Sequence, residues 1–271
     1  MNYKEDIKAV VFDFDGTLID FNYHTTQYTI DALKKLKQNN YKVCLSSGRP
    51  CFLAKKAFEK YFDSSILDYI FGCNGSEMMN VKDQKIEILY PLKSEDVVNI
   101  SKLLDYDFLV LGVYENTDFL VNKPCESKQM KEWLEARWLN PILFDFSKNS
   151  VERSKVLVLN NPEDRNKEDE ILKNIDLSKY SYAYSSPMCF EIAPKGVNKA
   201  KSIECLSKKL NCKNEQILSF GDMENDLPML LNSTGVVMDN AKPELKEKIK
   251  LHTSAVDKMG VYEFLHNNGL I

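Results

Sequence analysis

The chain has 271 residues, 44% hydrophobic and 28% charged, a balance that excludes a disordered or fibrous protein and allows one large domain or a core with a smaller second one. Its 36 basic and 40 acidic residues give a net charge of -4, so the basic footprint of a nucleic-acid-binding protein is missing. Seven cysteines without a Cys-x-x-Cys pair, and three scattered histidines (His24, His252, His266), offer no zinc site, redox pair or Ser-His-Asp triad.

The N-terminal residues Lys4, Glu5, Asp6 and Lys8 lead into an apolar run that ends at Asp13, which is not the pattern of a signal peptide. The apolar stretch near residue 110 is too short to span a bilayer. The expectation is a cytoplasmic protein with no membrane partner.

Ala9-Val10-Val11-Phe12 reads as a buried strand that delivers Asp13 and Asp15, with Gly16-Thr17 behind them, into a loop. In open parallel α/β sheets ligands bind outside the carboxyl ends of the strands, so acids at that point face a ligand. Two carboxylates at this spacing suit a hard cation such as Mg²⁺, or a carboxylate nucleophile attacking phosphorus. An ordinary Asp-Gly turn would contain the same residues. Residues 25–39 carry Tyr28, Ile30, Leu33 and Leu36 largely on one face and predict an amphipathic helix. A second strand at 42–45 runs into Ser46-Ser47-Gly48-Arg49-Pro50, followed by a helix at 51–61. Hydroxyl and backbone N–H donors at a helix start form a candidate phosphate cradle, although Ser is also a common helix N-cap. Residues 68–72 read as a third strand and Asn74-Gly75 as a hairpin turn.

From about Lys82 the pattern changes to short β-like runs near 86–90, 108–114, 118–122, 155–159, 180–185 and 189–192, with helical patterns at 95–104, 127–137 and 163–175. This predicts an α+β unit inserted into an α/β core, with boundaries near 82 and 193. Trp133 at a helical position reads as packing. The core pattern resumes after Pro194, where a helix over 198–210 places Lys199 in its first turn. A helix N-terminus disfavours a cation, so Lys199 calls for a negative partner such as a phosphate, or else simply faces solvent. Residues 216–220 form the next strand and end in Gly221-Asp222-Met223-Glu224-Asn225-Asp226, a second acid-rich strand end. Two such ends, with Ser47 and Lys199, form a joint metal and phosphate constellation. Residues 235–238, 243–250 and 261–266 complete the core, with Lys246, Lys248 and Lys250 expected on a solvated helix face.

On these residues the chain resembles the haloacid dehalogenase-like hydrolase superfamily, and within it the Cof-type phosphatases with a large α/β cap. The four motifs occur in order: Asp13-Phe14-Asp15-Gly16-Thr17-Leu18, Ser47-Gly48-Arg49, Gly196-Val197-Asn198-Lys199 and Gly221-Asp222-Met223-Glu224-Asn225-Asp226. Asn74-Gly75 and Asp239-Asn240-Ala241-Lys242-Pro243 also look like family signatures. The resemblance implies a Rossmann-like parallel sheet core (1–82 and 193–271) with helices on both faces, and an α+β cap (83–192) that sets substrate specificity. It implies a Mg²⁺-dependent phosphatase for small phosphorylated metabolites, sugar phosphates in particular. Asp13 would be the nucleophile and Asp15 the general acid and base. Asp13, Asp222 and the Asp15 backbone carbonyl would hold Mg²⁺, with Asp226 orienting the metal shell. Ser47, Lys199, Asn225 and the backbone N–H groups of Phe14 and Gly48 would bind the phosphoryl oxygens, with Arg49 beside the site. The chain departs from the pattern at Ser47, often Thr, at Ala200, commonly Gly, and at Asp239, frequently Gly; none of these removes a catalytic group.

Other functions are compatible with parts of this pattern. A phosphomutase of the same superfamily would use the same Asp13 and Asp15, and a phosphometabolite sensor would bind without turnover. A phosphoacceptor signalling domain also ends its strands in acids, but the large insert has no role there. The expected state is a monomer or weak homo-oligomer.

Overall fold

The computed structural model describes residues 3–146 and 151–271. Two compact units are formed, one from Met1–Glu87 with Asn198–Ile271 and the other from Ile88–Val197.

The first unit opens with α1 (Tyr3–Asp6) and β1 (Ala9–Phe12), then α2 (Gln27–Gln38), β2 (Lys42–Ser46), α3 (Cys51–Phe58), β3 (Tyr69–Gly72), β4 (Glu77–Asn80) and β5 (Lys85–Ile88). All four β1 side chains are fully buried, as a strand covered on both faces requires. Helix α2 starts where the Thr26 side chain accepts the Thr29 N–H, and it buries Ala32, Leu33 and Leu36. The hairpin at Asn74-Gly75 is present: Asn74 adopts φ 56 and the chain returns as β4, antiparallel to β3.

The second unit contains α4 (Ser94–Leu103), β6 (Val110–Glu115), β7 (Asp118–Val121), α5 (Lys128–Glu135), β8 (Pro141–Leu143), β9 (Val156–Leu159), α6 (Arg165–Lys173), β10 (Tyr180–Ser186) and β11 (Cys189–Pro194). Its sheet runs β10-β11-β9-β6-β7-β8. Val97, Ile100 and Leu104 pack with Leu111, Val113, Val156, Val158, Phe190 and Ile192 into its core. Alternation along β6 and β9 sends these residues to one face of the sheet. Trp133 is buried and its Nε1 donates to Ser186 Oγ at 3.3 Å, which makes it a packing residue.

The chain completes the first unit with α7 (Ala200–Leu210), β12 (Ile217–Gly221), α8 (Leu227–Leu231), β13 (Thr234–Met238), α9 (Pro243–Lys246), β14 (Leu251–Thr253) and α10 (Gly260–Asn267). Its sheet order is β14-β13-β12-β1-β2-β3-β4-β5. Strands β14 to β3 are parallel, so the topology is doubly wound about β1. Right-handed crossovers that leave β1 in opposite directions put α2 and α3 on one face and α8 on the other. Two expectations need correction. Lys248 and Lys250 lie beyond α9, because Ile249 is buried and the chain must turn to pair β14 with β13. Helix α3 ends at Phe58, short of residue 61.

Candidate active site

Parallel register decides which loops meet. Phe12 pairs with Phe220 on one side and with Leu45 on the other, so the residues that follow β1, β12 and β2 leave the sheet side by side. Phe12 and Phe220 stack with ring centroids 5.2 Å apart, which fixes the two strand ends against each other. The loops that carry Asp13, Ser47 and Asp222 therefore meet at the switch point where such sheets bind ligands.

The loop after β1 folds on itself. The Phe14 carbonyl accepts the N–H groups of Leu18 at 3.0 Å and Ile19 at 3.2 Å, and Gly16 N–H donates to Ile19 O at 2.7 Å. Gly16 adopts φ 88, and a Cβ there would stand 2.2 Å from Asp222 Oδ2, so both the backbone and the space demand glycine. The Phe14 side chain packs toward Phe58 and Tyr61.

Asp13, Asp222 and Asp226 are all buried, and an oxygen from each lies within 4.8 Å of the others. Lys199, at the residue before α7, is 1% exposed. Its Nζ donates to Asp13 Oδ1 at 2.5 Å and to Asp226 Oδ1 at 2.6 Å. The negative partners that Lys199 called for are thus carboxylates of the chain. Burial would lower the Lys199 pKa, but the two carboxylates outweigh it and hold the ammonium charged. Burial, reinforced by Asp226, pushes the Asp13 carboxyl up to about 8 against the pull of Lys199. Burial and Asp226 likewise push Asp222 up to about 7. Asp226 Oδ2 accepts the backbone N–H groups of Asp222 at 3.0 Å and Met223 at 2.9 Å, so Asp226 shapes the loop that carries Asp222.

Three buried carboxylates with one ammonium leave surplus negative charge in a site made of oxygen donors. That composition fits a hard divalent cation, which would hold Asp13 and Asp222 ionised against the burial, and the repulsion from Asp226, that raise them.

Asp15 stands apart from this cluster. Arg49 Nη2 donates to both of its oxygens, at 3.0 and 2.8 Å, and both side chains are more than a third exposed. Ser47 is buried; its Oγ accepts the Arg49 N–H at 3.1 Å, which leaves the hydroxyl proton for another acceptor. Gly48 lies beside Asn74, whose Oδ1 is 3.4 Å from where a Cβ would stand. Asn225 is exposed on the turn Glu224–Asp226.

Two further residues touch Asp222 that the motifs did not single out for a role. Thr17 Oγ1 donates to its Oδ1 at 3.2 Å and Asn240 Nδ2 to its Oδ2 at 3.1 Å. The available signal was position: Asn240 follows β13 at the carboxyl edge of the same sheet.

A family model described as haloacid dehalogenase-like hydrolase matches residues 10–265. The 5-amino-6-(5-phospho-D-ribitylamino)uracil phosphatase YcsE of Bacillus subtilis is 26% identical over 250 residues, covering 89% of this chain and 88% of the relative. The HMP-PP phosphatase of Serratia proteamaculans is 25% identical, covering 88% and 86%. A haloacid dehalogenase-like hydrolase from Bacteroides thetaiotaomicron has the same fold, with a TM-score of 0.80 at 22% identity, covering 96% of this chain and 99% of that one. With nearly the whole chain inside the family model, and Asp13, Lys199, Asp222 and Asp226 gathered at one strand-end cluster, this protein belongs to the haloacid dehalogenase-like hydrolases.

Proposed function

We propose that this haloacid dehalogenase-like phosphatase hydrolyses small sugar or polyol phosphates through a phosphoryl group held on Asp13, with Mg²⁺ as cofactor. The observation that carries this reading is the buried cluster in which Lys199 bridges Asp13 and Asp226 beside Asp222.

Asp13 Oδ would attack phosphorus while the bond to the leaving oxygen breaks, with Asp15 giving that oxygen its proton. Asp15 would then take a proton from water as the water oxygen attacks phosphorus, which releases phosphate and restores Asp13. Asp13, Asp222 and the Asp15 carbonyl would hold Mg²⁺, with Asp226 supporting that set through the Asp222 backbone. The ion supplies charge neutralisation, so that an anionic nucleophile can approach an anionic phosphate. Lys199, whose charge the carboxylates maintain, supplies a second positive charge at the attacking oxygen. The Ser47 hydroxyl, the N–H groups of Phe14 and Gly48, and Asn225 are the remaining phosphoryl ligands in this reading. Arg49 pairs with Asp15 and would turn toward an arriving phosphate, freeing Asp15 to carry a proton.

The unit 88–197 is, in this reading, the source of substrate selectivity. The phosphoribityl group in the name of the Bacillus subtilis relative supports a polyol or sugar phosphate substrate. The test is phosphate release from a panel of sugar, polyol and nucleotide monophosphates, each with Mg²⁺ and with EDTA. Turnover that needs Mg²⁺ and favours the sugar and polyol phosphates is expected; turnover unaffected by EDTA, or confined to nucleotides, would contradict the reading.

A further inference from the structure

Asn240 makes three hydrogen bonds that tie together three separate segments. Its Nδ2 donates to Gly16 O at 2.9 Å and to Asp222 Oδ2 at 3.1 Å, and its Oδ1 accepts the Val256 N–H at 3.1 Å. The partners fix the orientation of the amide. Turned over, it would set an oxygen against a carbonyl and a carboxylate, and its two N–H donors against another donor. The amide thus bridges two acceptors, the Gly16 carbonyl and Asp222 Oδ2, that would otherwise repel one another. The contact is close on every side, since Gly16 leaves no room for a Cβ against Asp222 Oδ2 and Thr17 Oγ1 takes the other oxygen at 3.2 Å. The Asp222 carboxylate is therefore held on both oxygens, from the β1 loop by Thr17 and from the β13 end by Asn240.

We propose that Asn240 is a positioning residue for the metal site: it sets the direction of the Asp222 carboxylate and locks the Gly16 turn beside it. Asn240 is itself exposed, and acts through Asp222 rather than on substrate. The proposal rests on the reading of Asp222 as a metal ligand. Groups that orient metal-ligating carboxylates typically change metal affinity by about 10–100-fold when removed.

The test is Mn²⁺ binding to the full chain by titration calorimetry, with the Mn²⁺-induced rise in melting temperature as a second readout, for wild type, Asn240→Ala, Asn240→Ser and Asp222→Asn. Serine keeps a polar group but is too short to reach either acceptor. The expected result is a Kd weakened by about tenfold or more in both Asn240 variants, with most of the Mn²⁺-induced melting shift lost. Because Val256 loses its acceptor in the same variants, melting in EDTA falls as well. A purely structural role would lower melting equally with and without Mn²⁺ and leave Kd unchanged. Binding within about twofold of wild type, or a failure of both variants to fold at all, would overturn the proposal. Wild type binding no more Mn²⁺ than Asp222→Asn would overturn the metal reading itself, and the proposal with it.

Discussion

Lys199 and Asp13 lie 186 positions apart in sequence, yet the lysine Nζ sits 2.5 Å from Asp13 Oδ1 in a site where neither side chain is more than 10% exposed. The same ammonium reaches Asp226, so one cation compensates two buried anions. Lys199→Met should leave both carboxylates unpaired and cost about 3–5 kcal/mol, the usual penalty for breaking a buried ion pair from one side. Denaturant unfolding of the variant measures this, and its phosphatase activity should fall to background.

Arg49 and Asp15 behave differently, because each is more than a third exposed. Arg49→Ala is expected to change stability by no more than about 1 kcal/mol. If the guanidinium turns to the phosphate, kcat/KM should fall by about 10²-fold. Steady-state kinetics beside a melting curve separates the two effects.

Gly16→Ala combines a φ of 88 with a Cβ 2.2 Å from Asp222 Oδ2. The substitution must displace Asp222 or open the turn. Loss of the Mg²⁺-induced rise in melting temperature, together with loss of turnover, is the expected outcome.

A pH effect on stability arises in the other unit. Glu168 is fully buried, with Oε2 accepting from Asn160 Nδ2 at 2.7 Å. Its Oε1 and the Asn160 Oδ1 are buried without a partner, and Tyr184 divides one hydroxyl proton between Glu168 at 3.0 Å and Asp169 at 2.8 Å. A proton on Glu168 would relieve that shortage of donors, and burial pushes its carboxyl up to about 7. An unfolded Glu titrates near about 4.3, so between the two values the native state binds more protons. Protonation of Glu168 therefore stabilises the fold below that window, and the contribution is lost as pH rises through about 7. Glu168 should contribute roughly 1–3 kcal/mol to the decline in unfolding free energy between pH 5 and pH 8, on top of the share from the raised Asp13 and Asp222 carboxyls, and Glu168→Gln should remove the Glu168 share alone.

Much of this was legible in the sequence because the strands that bear the motifs are continuous apolar runs. Ala9–Phe12 and Ile217–Gly221 have no solvated face, so their acids had to emerge at the ends. Strand β4, Glu77-Met78-Met79-Asn80, was not legible, since Glu and Met are better helix formers than strand formers and tertiary pairing with β3 decides the matter. Nor could Lys199 reveal its partners, because they lie on loops brought together only by the register of β1 and β12. Glu168 lies one turn before Ile171 and Leu172, which pack against the core of that unit, so it shares their inward face, but a Glu at that position gives no sign in the sequence of being buried. Asn240 belonged to a noticed signature, but its three partners come from three distant loops.

The most direct test of the account is the rate of p-nitrophenyl phosphate hydrolysis with Mg²⁺ by wild type and by Asp13→Asn. EDTA-sensitive turnover is expected in wild type, with a loss of roughly 10⁴-fold or more in the variant, as for other removed nucleophiles. A folded Asp13→Asn protein that keeps a rate within about tenfold of wild type would contradict it, because no phosphoryl transfer to that residue would then be needed.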